Sequence, residues 1–365
     1  MTMVIEPSQS QGFLSTGCIR RAMTPKQRFH AALDMRSVDR VPLLYQHLGA
    51  ASYLQKATGI LTKDAFEDPE KFAKLSLESF NHFGFDNVMA GWGDLLTESQ
   101  AHGLKWKFTD PRFYPRPDAY LPLAEASEIR PVDPMDDRYW SVPLKAASLM
   151  GDKLGDEVAI VGSCGSPTWI FSETIGMEPL MMAYFQQPDL VHGVLRNIIE
   201  SCKAYGERAH EVGIEDIFMD DSGAGMEMVS LEMYEQFDRP YVFQVMQSWT
   251  KLGLRTIIHN DSAAPYYESQ LDLQPKALHV HLQAVEPAKF FAQLRGRTCV
   301  VAGIDHTTLL FKRTPDEVES EVKRLFELWG KDAGFMMAPG CELPYKTPLE
   351  NILRLKQATI RYGTM

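Results

Sequence analysis

Eight short apolar runs, most of them followed by a stretch with helical periodicity, constrain the fold of this chain most strongly. Buried parallel strands appear in a sequence as continuous apolar runs rather than as alternating patterns, and these runs have that form. Eight strand–helix units predict a (β/α)8 TIM barrel of the α/β class. A doubly wound sheet is the alternative, but no glycine-rich phosphate-binding turn follows the first run. The runs begin at residues 41, 86, 157, 216, 255, 277, 298 and 334.

The chain is predicted to consist of an N-terminal arm and one barrel. Residues 1–22 are polar and aperiodic, which indicates a flexible arm. Thr24 followed by Pro25 predicts the start of the first helix, and residues 23–365 are predicted to form a single (β/α)8 barrel catalytic domain. Residues 103–125 contain four prolines among short extended pieces, which predicts a β-hairpin or loop insertion.

Composition excludes several classes of partner. The formal net charge is −11 and no basic stripe is present, which argues against nucleic acid and against an anionic membrane surface. No apolar run approaches the roughly 20 residues that a membrane span needs, and the N-terminus lacks the pattern of a secretory signal. The five cysteines are widely scattered, so we expect a reducing cytoplasm rather than a disulfide framework.

Metal-binding and acidic side chains follow the apolar runs. In TIM barrels the chemistry lies at the carboxyl ends of the strands, so these side chains are expected to share one mouth. A mouth lined by His, Asp and Cys suits a divalent metal ion. In chain order the residues are Gln46 and His47, Trp92 and Asp94, Ser163 and Cys164, Asp220 and Asp221, His259, Asn260 and Asp261, His279 and His281, Asp305 and His306, and Cys341 and Glu342.

His259, Asp261 and Cys341 are the predicted metal ligands. They would supply nitrogen, oxygen and sulfur to Zn²⁺, which in catalytic sites takes about three protein ligands and keeps one position open. Each residue also has a structural interpretation. Cys341 could be a buried small hydrophobe, His259 a hydrogen-bonded rim histidine, and Asp261 the cap of a helix that begins near residue 264. On spacing alone these alternatives stay open.

The other strand-end residues also have structural interpretations. Asp220 and Asp221 precede Ser-Gly and could shape a turn. His279 and His281 are two residues apart, so on a strand they would share a face, and an inward one could be a polar core residue. Asp305 could shape the loop that follows it.

Four segments of the sequence resemble uroporphyrinogen decarboxylase-like proteins, and the likeness extends from about residue 24 to the C-terminus. In this order the pieces are fairly specific for that family. They are MTPKQRFHAALDMRSVDRVPLL (23–44), GMEPL with PDLV (176–180 and 188–191), VAGID with RTPDEV (301–305 and 313–318), and APGCELPYKTPLENIL (338–353).

The resemblance implies a (β/α)8 barrel and one of two activities. True decarboxylases use no metal and carry an arginine-rich segment after the first strand, whereas residues 45–50 (YQHLGA) contain no arginine. The other branch comprises zinc-dependent methyltransferases that work with a corrinoid protein. Relatives acting on coenzyme M carry His-x-Cys on one strand and a late Pro-Gly-Cys. This chain matches at His259 and Cys341, but position 261 is Asp.

The substitution at Asp261 shifts the expected substrate. A carboxylate in place of a thiolate makes the metal harder and favours an oxygen ligand such as a methoxy group, although it could also mean that the metal is lost. The resemblance therefore implies a cytoplasmic O-demethylase component that moves a methyl group from a small methoxylated aromatic donor to Co(I). The corrinoid would lie on a partner protein, since no Asp-x-His-x-x-Gly motif occurs here.

The catalytic candidates that follow from this hypothesis are two aspartates, a glutamate and a histidine. Asp220, Asp221 and Glu342 could be further ligands or could orient the substrate, His281 or His279 could hydrogen-bond a ring substituent, and Trp92 and Trp169 could form an aromatic wall.

Two alternatives remain: transfer from methyl-corrinoid to a thiol or folate, and a tetrapyrrole decarboxylase or binding protein. The 103–125 insertion could be a lid, a docking surface for the corrinoid partner or a homodimer contact.

Overall fold

A computed structural model of the protein describes residues 22–93, 96–154 and 156–364. The predicted arm over residues 1–22 lies outside these ranges apart from Ala22, and so does Asp94.

A curled parallel sheet forms the centre of the fold. The strands of the described residues are β1 (Asn87–Ala90), β2 (Lys105–Lys107), β3 (Arg116–Ala119), β4 (Ala159–Gly165), β5 (Asp216–Asp220), β6 (Arg255–Asn260), β7 (Ala277–His281), β8 (Cys299–Ile304) and β9 (Phe335–Pro339). The strand order in the central sheet is β1-β4-β5-β6-β7-β8-β9, and every neighbouring pair is parallel.

Helices connect the strands and pack around the sheet. They are α1 (Pro25–Leu33), α2 (Ala51–Thr58), α3 (Thr62–Ala65), α4 (Pro69–Phe83), α5 (Leu96–Ala101), α6 (Ser141–Leu154), α7 (Pro167–Ile175), α8 (Met177–Gln186), α9 (Pro188–Glu211), α10 (Leu231–Phe237), α11 (Arg239–Lys251), α12 (Tyr267–Leu271), α13 (Pro287–Leu294), α14 (Leu309–Lys312), α15 (Pro315–Trp329) and α16 (Leu349–Gly363). In this part of the chain, no helix has both the length and the apolar character needed to cross a membrane.

Capping residues define the start of α1 as the sequence predicted. The Thr24 hydroxyl accepts the backbone N–H of Gln27, the Gln27 side chain accepts the N–H of Thr24, and Pro25 occupies the first helical position. This reciprocal capping box satisfies two backbone donors that an α-helix leaves free at its N-terminus.

The first predicted strand closes the barrel without forming a regular ladder. On one side, the backbone of Leu44 and of Pro42 pairs with Met337 of β9. On the other side, the Leu43 N–H donates to the Asp86 carboxylate at 2.8 Å and the Tyr45 N–H donates to the Asn87 Oδ1 at 2.7 Å. On the side next to β1, these backbone N–H groups therefore donate to side chains instead of to backbone carbonyls. The other seven predicted strands form the sheet.

The predicted insertion is a β-hairpin. Strands β2 and β3 pair antiparallel, with Lys107 opposite Arg116. The segment between them reaches towards the carboxyl ends of the parallel strands, where Arg112, Phe113 and Tyr114 line a cavity.

Candidate active site

The parallel register places the strand-end side chains at one height. Asp220 is opposite His259, and His259 is opposite His279. Beside them lies a cavity of about 610 Å³. The predicted residues that line it are Asp220, Asp261, Cys341 and Glu342, with Trp169 of α7.

The three predicted metal ligands come together beside this cavity, which Asp261 and Cys341 line. His259, Asp261 and Cys341 each offer one ligand atom, and these atoms lie within 4.8 Å of one another. His259 is completely buried, and neither of its ring nitrogens has a hydrogen-bond partner among the described residues. Its ring packs against Phe218 and His279, with centroid distances of 4.9 and 4.7 Å. An orphaned imidazole beside a carboxylate and a thiol fits the donor set of Zn²⁺.

Asp261 does not cap the helix that follows it, so that interpretation is wrong. The N–H groups of Ala263 and Ala264 donate instead to the Glu227 carboxylate, which also accepts the Ser262 hydroxyl. Burial would raise the pKa of Asp261, but His259 and hydrogen bonds from Ser222 and Cys341 lower it. Asp261 is therefore ionised at neutral pH.

The Cys341 thiol lies in a negative environment. Burial and the carboxylates of Asp261 and Asp220 raise its pKa well above the ordinary value. A divalent cation bound among these groups would reverse this effect and favour the thiolate. Ionisation of the Cys341 thiol would therefore require the positive charge of a bound cation.

Further carboxyl groups with raised pKa values lie at or near the cavity. Burial raises the pKa of Asp220, His259 opposes this increase, and Asp261 adds to it. Glu173 of α7 also lines the cavity, and burial together with Asp220 raises its pKa. Burial raises the pKa of Glu98, behind Asp220, to about 7. The sequence prediction missed Glu173, although its position one turn after Trp169 indicates a shared helical face.

The hairpin contributes directly to the cavity wall. The Tyr114 hydroxyl donates to Glu342 Oε1 at 2.6 Å, and burial raises the pKa of Glu342 to about 7. A Cβ atom at Gly93 would lie 2.1 Å from Glu342 Oε2, so a larger residue there would displace the carboxyl group. Tyr114 was missed because it lies in an irregular loop with no signal in the sequence.

Two predicted residues lie away from the cavity. Asp221, predicted as catalytic, is fully buried and accepts the Gln270 Nε2–H at 2.7 Å. The chain turns into the core after β5, so Asp221 and Asp220 point to different environments. Trp92 stacks on Phe66 with ring centroids 3.9 Å apart instead of lining the cavity.

The histidines of β7 separate into two roles. His279 is completely buried, stacks on His259 and hydrogen-bonds the Pro339 carbonyl at 3.0 Å, as a polar core residue does. His281, also predicted as catalytic, lies in a different cluster with Asp305 and His306. On the other side of the mouth, burial and His259 lower the pKa of His47 to about 3.

Comparison with known proteins gives consistent matches along nearly the whole chain. The family described as Uroporphyrinogen decarboxylase (URO-D) matches residues 24–362. Methylcobamide:CoM methyltransferase MtbA of Methanosarcina mazei is 24% identical over 346 residues, covering 93% of this chain and 98% of that protein. Uroporphyrinogen decarboxylase of Anaeromyxobacter dehalogenans is 22% identical over 350 residues, covering 92% and 99%. A solved methyltransferase structure from Methanosarcina mazei has a TM-score of 0.84 at 23% identity, covering 93% and 99%, which confirms the barrel fold.

Proposed function

This chain belongs to the uroporphyrinogen decarboxylase (URO-D) family, and we propose that it is a zinc-dependent corrinoid methyltransferase of the O-demethylase type. It moves a methyl group from a small methoxylated aromatic compound to the Co(I) corrinoid of a partner protein. The observation that carries the proposal is the cluster of His259, Asp261 and Cys341, in which Asp261 and Cys341 line the cavity and His259 lies within 4.8 Å of them.

The three ligands would hold zinc at the cavity. When bound there, zinc supplies Lewis acidity that stabilises negative charge on the substrate heteroatom. The hard carboxylate of Asp261 favours an oxygen atom in that position over a sulfur atom. Trp169 and Tyr114 give the cavity aromatic walls that suit a planar ring.

Side chains of the protein would also supply the proton that the released oxygen takes up. In demethylation the O–CH3 bond breaks, the methyl group passes to Co(I) to give methyl-Co(III), and the released oxygen takes up a proton. Glu342 lines the cavity and has a pKa of about 7, so a large fraction of it is protonated at neutral pH. We assign the proton donation to Glu342, with Tyr114 as its positioning residue and Asp220 orienting the substrate.

The absence of arginine from residues 45–50 disfavours the decarboxylase branch. Sequence identity does not separate the branches, because relatives of both kinds are 22% to 24% identical. The cavity is lined by Arg112 and Arg116 as well as by Glu173, Asp220 and Glu342, so its charge alone does not exclude a carboxylate-rich tetrapyrrole.

Transfer in the opposite direction is the second candidate. The relative from Methanosarcina mazei is named for transfer between methylcobamide and coenzyme M. In this protein such a reaction would take a methyl group from methyl-corrinoid to a thiol or folate.

The test incubates the zinc-loaded protein with a reduced corrinoid protein and a panel of methoxyarenes. We expect the methyl-Co(III) absorption to form, with a phenol produced in equal amount, and we expect neither with Cys341→Ala. Turnover only from methyl-corrinoid to a thiol or folate would establish the second candidate instead. Tetrapyrrole binding without any methyl transfer would contradict both.

A further inference from the structure

A second cluster of metal-binding side chains lies beside the first. His281 ends β7, and Asp305 and His306 follow β8, the neighbouring strand. None of the three lines the cavity of about 610 Å³. We propose that His281, Asp305 and His306 form a second site for a divalent cation of intermediate softness, such as Zn²⁺, Co²⁺ or Fe²⁺. This site does not depend on the proposed reaction.

The geometry of the cluster suits a shared cation. One ligand atom from each residue lies within 4.8 Å of the other two. The imidazole rings of His281 and His306 have centroids 5.4 Å apart and are inclined at 64°. Ligands of a tetrahedral ion at about 2.1 Å are roughly 3.4 Å apart. Small side-chain rotations would therefore bring the three atoms around one ion.

Two imidazole nitrogens in the cluster have no partner. His281 Nε2 and His306 Nδ1 are buried and form no hydrogen bond within the described ranges. Burial and neighbouring His281 lower the pKa of His306 to about 4, so its ring is neutral and keeps a lone pair at neutral pH. Two orphaned nitrogens and a carboxylate form the donor set of many catalytic metal sites.

Asp305 is held rigidly in place. Its carboxylate accepts the N–H groups of Thr308 and Leu309 at 2.9 and 3.1 Å, and the side chain of Gln283 at 2.5 Å. These bonds confirm that Asp305 shapes its loop, but they do not account for the unpartnered imidazoles. In metal sites, ligating carboxylates are commonly oriented by such hydrogen bonds.

The cluster has its own route to solvent and an electrostatic link to the first site. Asp305 and Gln283 line a separate cavity of about 710 Å³, from which an ion could enter. The charge of Asp261 acts on both His281 and His306. The Asp261 carboxylate would therefore shield two neighbouring cations from each other.

The test titrates chelator-treated, full-length protein with Co²⁺ and measures bound cobalt and the absorption spectrum together. We expect two equivalents in the wild type, of which one gives the thiolate-to-cobalt charge-transfer band of Cys341. His306→Ala should bind one equivalent and keep that band, whereas Cys341→Ala should bind one equivalent without it. His82→Ala, which removes a partly exposed histidine paired with Glu78, should still bind two equivalents.

Two results would contradict the second metal site. One is that His306→Ala binds as much cobalt as the wild type. The other is that the wild type binds a single equivalent and this equivalent gives the charge-transfer band. His281→Gln gives an independent variant should His306→Ala fail to fold, and it should also lose one equivalent. Loss of cobalt in His306→Ala without any charge-transfer band in the wild type would support this site and refute the first.

Discussion

The two ends of strand β5 lie in opposite electrostatic environments. Asp216 begins the strand and Asp220 ends it, and both are buried. Burial would raise the pKa of Asp216, but His30 and Arg255 lower it below the ordinary value. Burial also raises the pKa of Asp220; His259 opposes this increase and Asp261 adds to it, and the pKa stays above its ordinary value. One strand therefore carries a carboxylate with a lowered pKa at its start and one with a raised pKa at its tip.

The same contrast extends around the barrel. At the amino ends of the strands, Asp86 pairs with Arg28 at 2.7 Å and with Arg40 at 2.9 Å. At the mouth, burial raises the pKa of Asp220 and of Glu342, and the hydrogen bonds described for their carboxyl groups come from Ser222 and Tyr114 instead of from lysine or arginine. The base of the barrel thus pairs its buried carboxylates with arginine, whereas the carboxyl groups at the mouth have raised pKa values.

Asp216→Asn gives the largest expected change in stability. Arg255 and His30 lose their buried counter-charge, and breaking a buried pair by removing one partner costs about 3 to 5 kcal/mol. Denaturant unfolding at pH 7 measures the loss. Asp220→Asn is the matched control on the same strand, because the amide keeps an acceptor for the Ser222 N–H. Equal losses in the two variants would contradict the proposed difference between the ends.

Glu98→Gln should alter how stability depends on pH. The pKa of Glu98 is raised from 4.5 to about 7, so between these values the folded state binds more protons than the unfolded state. Stability should therefore fall as the pH rises through this range. Between pH 5 and pH 8 the wild type should lose about 2 to 3 kcal/mol of stability that the variant keeps, since one pKa unit is about 1.4 kcal/mol.

Urea unfolding at pH 5 and at pH 8 tests this expectation. The stability of Glu98→Gln should depend less on pH than that of the wild type. The exposed Glu128→Gln serves as the control and should follow the wild-type curve. A wild-type protein that gains stability from pH 5 to pH 8, with no difference in Glu98→Gln, would show that Glu98 is not held protonated.

Tyr114→Phe should have the smallest effect of the three variants, and it tests whether the hairpin contributes to the substrate site. Loss of one hydrogen bond to Glu342 should lower kcat/KM for the methyl donor about 2- to 10-fold. Because this bond lowers the pKa of Glu342, the pH profile of turnover should also shift upward. Tyr120→Phe, an exposed tyrosine after β3, should change neither quantity. Wild-type kinetics in Tyr114→Phe would show that the hairpin does not contact the substrate site.

The sequence predicted the barrel well because buried strands leave a strong apolar signal. The first run at residues 41–45 was expected to be a strand like the others. Its hydrogen bonds to the side chains of Asp86 and Asn87 depend on tertiary pairing that no apolar pattern records. The hairpin was predicted from its prolines and short extended pieces.

The candidate site was predicted in part. His259, Asp261 and Cys341 come together because the carboxyl ends of parallel strands must meet. Asp221 was misplaced because the direction of the chain after a strand depends on the loop. Tyr114 approaches Glu342 from 228 residues away in sequence, a contact that only the folded chain reveals.

X-ray absorption at the zinc edge, on the zinc-loaded wild type and on Cys341→Ala, tests the central claim most directly. If His259, Asp261 and Cys341 bind zinc, the wild type should show a Zn–S shell at about 2.3 Å. That shell should be absent in Cys341→Ala, with the nitrogen and oxygen neighbours of any other bound zinc retained. A spectrum without sulfur in the wild type, or a sulfur shell that persists in the variant, would contradict a metal centre built on Cys341.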